Sequence, residues 1–317
     1  MKSDRGEVGL PASAVGSAVA IAIVWGFNFV VIKIGVKEIP PLLLAALRFA
    51  FSAFPFLLFI KKPRVGWGRL AAYGLFLGVG EFGLLFTALK LGAPVGLSSI
   101  VLQSQAFFTA LLAAPLLREK LRARTLTGMG IAALGLILTV LPDAGSTIGA
   151  FPPVLALMVV LAALGWAAAN VTARTMPATD ALGLMVWSSL FSPLPLLGLS
   201  LLLEGPPAVL AAVAGMSALG AGALAYLVIM STLFGYGLWN RLIMRHGAAR
   251  IAPFSLLVPL FSLSSAALFL GERFSLLDVA AGGLILAGLL THLFGPSGRI
   301  PSSPDRHPSG GGAEPGS

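Results

Sequence analysis

Apolar runs of membrane-crossing length, separated by short polar or proline-bearing stretches, make up almost the whole chain. Ten such runs fall at about 13–36, 40–60, 68–89, 93–117, 124–141, 152–173, 181–203, 218–239, 248–270 and 275–294. A helix that spans a bilayer needs about 20 apolar residues, so each run reads as a spanning helix. Pro40-Pro41, Pro142, Pro152-Pro153, Pro177 and Pro206-Pro207 stand between runs, where helices should end. The apolar stretch Pro207–Met216 reads as an interfacial piece ahead of the eighth span. The first run is too long for a signal-peptide core and is expected to be retained. The pattern therefore predicts an all-α membrane protein of ten transmembrane helices. Residues 1–12 form a polar N-terminus, and residues 295–317, rich in Gly, Ser and Pro, are expected to be disordered.

The chain is also written twice. Ala106–Leu121 (AFFTALLAAPLLREKL) and Pro259–Phe274 (PLFSLSSAALFLGERF) match at an offset of 153, with Phe108/Phe261, Ala113/Ala266, Ala114/Ala267, Leu117/Leu270 and Glu119/Glu272 identical. Internal repetition on this scale is an architectural statement. Residues 13–141 hold helices 1–5 as one repeat and residues 152–294 hold helices 6–10 as the other. Five is odd, so the two repeats enter the membrane from opposite sides. Inverted repeats are the mark of alternating-access transporters, with a site near the midplane between the halves.

Composition narrows the reading. Hydrophobic residues make up 57% and charged residues 10% of the chain, with mean hydropathy +0.95, whereas soluble domains carry about 25% charge. The net charge of +9 sits in short loops, which excludes a nucleic-acid-binding patch. Of 21 Lys and Arg residues, 16 fall in the termini and the even gaps of the ten-helix map. That asymmetry predicts both termini of a multi-pass membrane protein in the cytoplasm. There is no cysteine, and His246, His292 and His307 share no ligand spacing. No cofactor or metal is expected, and neither a P-loop nor a nucleophile–base constellation supports a pump or an enzyme.

Trp25-Gly26-Phe27-Asn28-Phe29, Leu47-Arg48-Phe49, the Gln103–Thr109 stretch and Gly271-Glu272-Arg273 together resemble the EamA branch of the drug/metabolite transporter superfamily. The likeness extends through Gly235–Trp239 (GYGLW) and Arg250–Leu260 (RIAPFSLLVPL) and covers roughly residues 14–294. The resemblance implies an inner-membrane exporter driven by the proton gradient. Its implied cargo is a small amino-acid metabolite of the O-acetylserine and cysteine kind, held in a central cavity; other members export aromatic amino acids, purines or drugs. The resembling exporters carry a neutral Gln at the position of Glu81, so Glu81 departs from their pattern and could mark a preference for a cationic group.

Arg48 in helix 2 and Glu81 in helix 3 are charges inside spans, where charge is costly and marks function. Each lies 9 residues from the same membrane boundary, at Ile39 and Lys90, or about 13 Å deep at the helical rise. Two readings fit: an Arg48–Glu81 ion pair that fixes helix packing, or a transport site in which Glu81 exchanges protons and Arg48 holds a substrate carboxylate. Trp25 and Asn28 share a face of helix 1, and Trp166 and Asn170 repeat the pattern in helix 6, which favours a cavity lining. Ser99 and Gln103 share a face of helix 4 and are expected to line the cavity, with Gln105 turned to a helix contact. Tyr236 is a further lining candidate, whereas Trp239 is expected at the interface. Pro253 and Pro259 break helix 9 and are hinge candidates. Lys33 and Lys37 are expected to snorkel to headgroups, and Glu119 and Glu272 to cap or pair with the next helix. Gly128 with Ala132 and Gly283 with Ala287 allow close approach, between the halves or across a homodimer. The expected partners are thus a small-molecule substrate and the bilayer, with a second copy as the alternative use of those small residues.

Overall fold

The computed structural model describes residues 10–141, 151–177 and 180–294. The expected N-terminal segment up to residue 9, the Pro142 break and the tail beyond 294 lie outside the described residues. Among the described residues, eight helices are long and apolar enough to cross a membrane: α1 (Ala12–Glu38), α2 (Pro41–Leu58), α3 (Trp67–Lys90), α4 (Val95–Leu116), α6 (Pro153–Arg174), α10 (Ala218–His246), α11 (Pro253–Leu270) and α12 (Leu276–Phe294). Two helices, α7 (Ala181–Ser188) and α8 (Pro193–Leu203), form one further candidate span bent by 44°. The break spans residues 189–192, and Pro193, which opens α8, cannot donate back into α7. The apolar helix α5 (Ala123–Thr139) has 17 residues. The apolar piece ahead of the eighth run is a separate helix, α9 (Pro206–Ala214).

Contacts sort the helix ends into two sets. At one, here the cap end, carboxylates from late helices close the N-termini of early ones. Glu204, after α8, accepts the Leu42 and Leu43 N–H groups at 2.8 and 3.4 Å. Glu272, after α11, accepts the Val95 and Gly96 N–H groups at 2.7 and 3.0 Å. The first amides of a helix have no internal partner and carry partial positive charge, so an anion belongs there. Lys33 also acts at this end: it does not snorkel but donates to the Leu89 carbonyl at 2.6 Å. At the other end, here the basic end, Arg174 pairs with Glu119 and Trp187 donates to the Ile60 carbonyl at 2.9 Å. Glu119 and Glu272 therefore act as anchors, but on α6 and α4 rather than on the helix that follows each.

Four interruptions of the α-helical ladder face the interior. Residues Phe76–Gly83 of α3 and Tyr226–Phe234 of α10 are π-helical. In α4 the helix stops at Leu102 and restarts at Gln105. Before α11 proper, Ala252–Leu256 is a 3₁₀ turn and regular helix resumes at Leu257. The 3₁₀ turn begins beside Pro253. Pro259 sits in the first turn of the resumed helix, where a missing N–H costs nothing, so it does not itself break the ladder.

Glycines let these interrupted helices touch. A Cβ on Gly165 of α6 would lie 2.6 Å from the Gly80 carbonyl carbon and 2.9 Å from Glu81 N in the π segment of α3. A Cβ on Gly26 of α1 would lie 2.9 Å from Ser262 N of α11. Of the small-residue pairs, Gly128 and Ala132 pack α5 on α12 within the chain, at Gly288, whereas Gly283 and Ala287 face outward. Gly165→Ala is expected to cost about 1–3 kcal/mol in thermal unfolding, because α6 must leave the α3 backbone. Gly198→Ala, where nothing lies within 4 Å of a new Cβ, is the control; it should be neutral or stabilising by up to about 1 kcal/mol through helix propensity.

Candidate functional site

A cavity of about 320 Å³ lies between α1, α2, α3, α4, α6, α10 and the turn leading into α11. Trp25, Asn28, Arg48, Glu81, Ser99, Gln103, Trp166, Asn170 and Tyr236 all line it. The structure thus brings every cavity residue expected from the sequence to one place. Tyr73, Phe82, Gln105, Ser231, Trp239 and Ser255 join them. A wider groove of about 1000 Å³ opens at the cap end beside α8 and α9. Its walls are mainly aliphatic, and the buried polar groups converge on the smaller cavity, which is therefore the candidate site.

Arg48 is the centre of this cavity. Only 1% of it is exposed. Its Nη2 lies 3.3 Å from Thr232 Oγ1 and 3.5 Å from Ser231 Oγ, both in the π segment of α10. The Thr232 hydroxyl donates to the Leu227 carbonyl at 2.9 Å, a five-residue step that belongs to the π register, and so turns a lone pair toward Arg48. The guanidinium carbon sits 4.0 Å over the Phe82 ring, a cation–π contact. Neutral hydroxyls and a ring do not discharge the cation, and among the described residues its Nε and Nη1 have no hydrogen-bond partner.

Glu81 shares the cavity but not an ion pair. Among the described residues its carboxylate has no partner, and Oε2 is fully enclosed. The packing bridge suggested by equal depth is not formed. The reason lies in the π segment: its wider turn resets the phase of α3, so equal depth does not give a facing pair, and Phe82 rather than Glu81 lies under the guanidinium. Leaving both charges unpaired in a lipid-embedded interior is costly, roughly 2.5–3.5 kcal/mol each even on insertion scales.

Aromatic rings and amides complete the lining. Trp25 Nε1 donates to the Ser231 carbonyl at 3.0 Å, and its ring meets Tyr236 and Trp239 with centroids 5.6 and 5.3 Å apart. Gly235 leaves the room for that indole; a Cβ there would lie 2.4 Å from Nε1. Trp239, expected at the interface, also lines the cavity, and α10 continues beyond it to His246. Asn170 donates to Gln105 Oε1 at 2.8 Å, tying α6 to α4. Gln103 and Gln105 both reach the cavity, since the break between Leu102 and Gln105 removes the two-residue phase conflict of a continuous helix. Asn28 Oδ1 is buried with no hydrogen-bond partner among the described residues. The signals for the residues missed were modest: Ser231-Thr232 is a hydroxyl pair in an apolar run, and Tyr73 recurs as Tyr226 at the repeat offset of 153.

The model of the EamA-like transporter family matches residues 12–141 and again 154–294. The chain is 40% identical over 283 residues to a Salmonella typhimurium protein named "probable amino-acid metabolite efflux pump", covering 88% of this chain and 94% of the relative. An Escherichia coli K12 protein of the same name is 39% identical over 285 residues, with 88% and 94% covered. A solved crystal structure shares the fold with TM-score 0.54 at 18% identity, covering 88% of this chain and 95% of that one.

Breaking a buried ion pair costs about 3–5 kcal/mol. Because Glu81 has no partner, Glu81→Gln is expected to change unfolding stability by less than about 1 kcal/mol, or to raise it. Thermal unfolding of the purified protein in detergent checks this; a loss in the ion-pair range would show that Glu81 is paired after all.

Proposed function

The chain belongs to the EamA-like transporter family, and we propose that it exports small zwitterionic amino-acid metabolites, of the O-acetylserine and cysteine kind, in exchange for protons. One observation carries the reading: a single buried cavity holds a basic and an acidic side chain that form no ion pair with each other. An amino acid brings an opposite charge to each. Its carboxylate suits the open Nε and Nη1 of Arg48, since a guanidinium offers a planar donor fork. Its ammonium suits Glu81. Both charges are then satisfied only when cargo is present, which offsets the cost of burying them.

The same arrangement supports proton exchange. A carboxylate with no fixed partner is free to be neutral when cargo is absent and ionised when an ammonium arrives. Binding of one and release of the other are then two uses of one group. Two five-helix repeats of opposite orientation supply the movement. The two matches of the family model and the mirrored ladder breaks before Gln105 and Leu257 support that architecture. In this reading there are ten spans, counting α5 and the bent pair of α7 and α8, and the basic end and both termini face the cytoplasm of a bacterial inner membrane.

Inside-out vesicles carrying this protein should take up labelled O-acetylserine and cysteine, and a protonophore should abolish the accumulation. No uptake above empty vesicles, with folded protein present, would discard this cargo. Uptake that survives the protonophore would discard the proton. Arg48→Lys keeps the charge but loses the fork, and is expected to weaken apparent affinity about 10-fold or more, the scale of one charge-assisted hydrogen bond.

A further inference from the structure

The two ends of the molecule present the same parts in different states. Glu119 and Glu272 are 153 residues apart, and so are the first residues of the helices they could cap, Val95 and Ala248. Lys33 stands eight residues beyond Trp25, and Arg174 eight beyond Trp166. Each end therefore owns one carboxylate, one helix start and one long basic side chain. At the cap end Glu272 holds the Val95 and Gly96 N–H groups, while Lys33 holds the Leu89 carbonyl just before the same turn. At the basic end the corresponding carboxylate, Glu119, is paired with the basic side chain of that end, Arg174.

We propose that Glu272 and Glu119 are alternate latches of the transport cycle. Glu272 shuts the cap end by capping α4. Glu119 shuts the basic end by capping the helix that starts at Ala248. Each latch is released when its own basic neighbour, Lys33 or Arg174, takes the carboxylate. The proposal rests on the alternating-access reading above; in this structure the cap-end latch is made, and Glu119 is held by Arg174.

The cavity lies between the two latches: its lining reaches toward the basic end through Trp239, Asn170 and Gln105, and toward the cap end through Phe29 and Leu85. The chemistry makes the exchange feasible. The Arg174–Glu119 pair is exposed, at 45% and 46%, and exposed ion pairs are weak and readily traded. A carboxylate on two free helix amides satisfies groups that have no other partner, so making one cap while undoing the other leaves the total nearly unchanged. A transporter needs that balance if neither state is to trap it.

The chain has no native cysteine, so Val258→Cys gives one thiol in the cavity lining. Its reaction with a membrane-impermeant methanethiosulfonate is read from each face in right-side-out and inside-out vesicles. Glu272→Gln should raise labelling from the cap end relative to the basic end by about tenfold, the loss of one charged helix cap. Glu119→Gln should shift the ratio the other way. Arg174→Met, at an exposed position where folding is not at stake, frees Glu119 and should act in the same direction as Glu272→Gln. Opposite signs for the two glutamines separate a latch from mere structural damage, which moves both alike. If the thiol labels from both faces but neither glutamine changes the ratio, or both change it in one direction, the latches are wrong and alternating access stands. If it labels from one face only in every variant, alternating access fails and the latches with it.

Discussion

The structure depends on an unneutralised guanidinium held in a low-dielectric interior. Arg48 cannot be hydrated by lipid, and the protein gives it no carboxylate. It receives instead a ring face from Phe82 and two hydroxyls from Ser231 and Thr232. These are enough to fix its position and too little to satisfy it. A fully paired Arg48 would be an inert strut; a wholly unsupported one would not stay buried. The elements around it serve this compromise. The π turn of α10 supplies Thr232 in the right phase, α1 braces that turn through Trp25, and the π turn of α3 puts Phe82 under the cation and leaves Glu81 apart.

Irregular backbone is tolerated in a membrane only where it is buried in protein or lines a cavity. The two π segments, the break before Gln105 and the 3₁₀ turn at Ala252–Leu256 obey that rule, since each contributes residues to one cavity. The close helix contacts at Gly26 and Gly165 serve the same purpose from behind, seating α1 and α6 against the irregular stretches. Backbone interruption, small-residue packing and buried charge are therefore parts of one solution.

Much of this was legible in the sequence. Arg48 and Glu81 stood out because charge is rare in apolar runs, and the echo of Trp25 and Asn28 in Trp166 and Asn170 pointed to a shared lining. What stayed hidden was phase. A π turn has no composition of its own, so equal depth suggested an Arg48–Glu81 contact that the inserted residue prevents. The two-residue spacing of Gln103 and Gln105 argued against a common face for the same reason, because it assumed an unbroken helix. The part of Trp239 in the lining was hidden because Asn240, Arg241 and Arg245 end the apolar run, whereas the helix continues through them to His246. Lys33 read as a snorkelling side chain because its partner, the Leu89 carbonyl, belongs to a helix end that sequence proximity does not reveal.

The most direct measurement is a double-mutant cycle on cargo binding. Affinity for a zwitterionic amino acid would be compared in the parent, Arg48→Lys, Glu81→Gln and the combined variant. If Arg48 and Glu81 hold opposite poles of the cargo, the two losses add to within about 0.5 kcal/mol. If instead the combined variant binds no worse than either single one, the two charges act on each other rather than on the cargo, and the central claim is wrong.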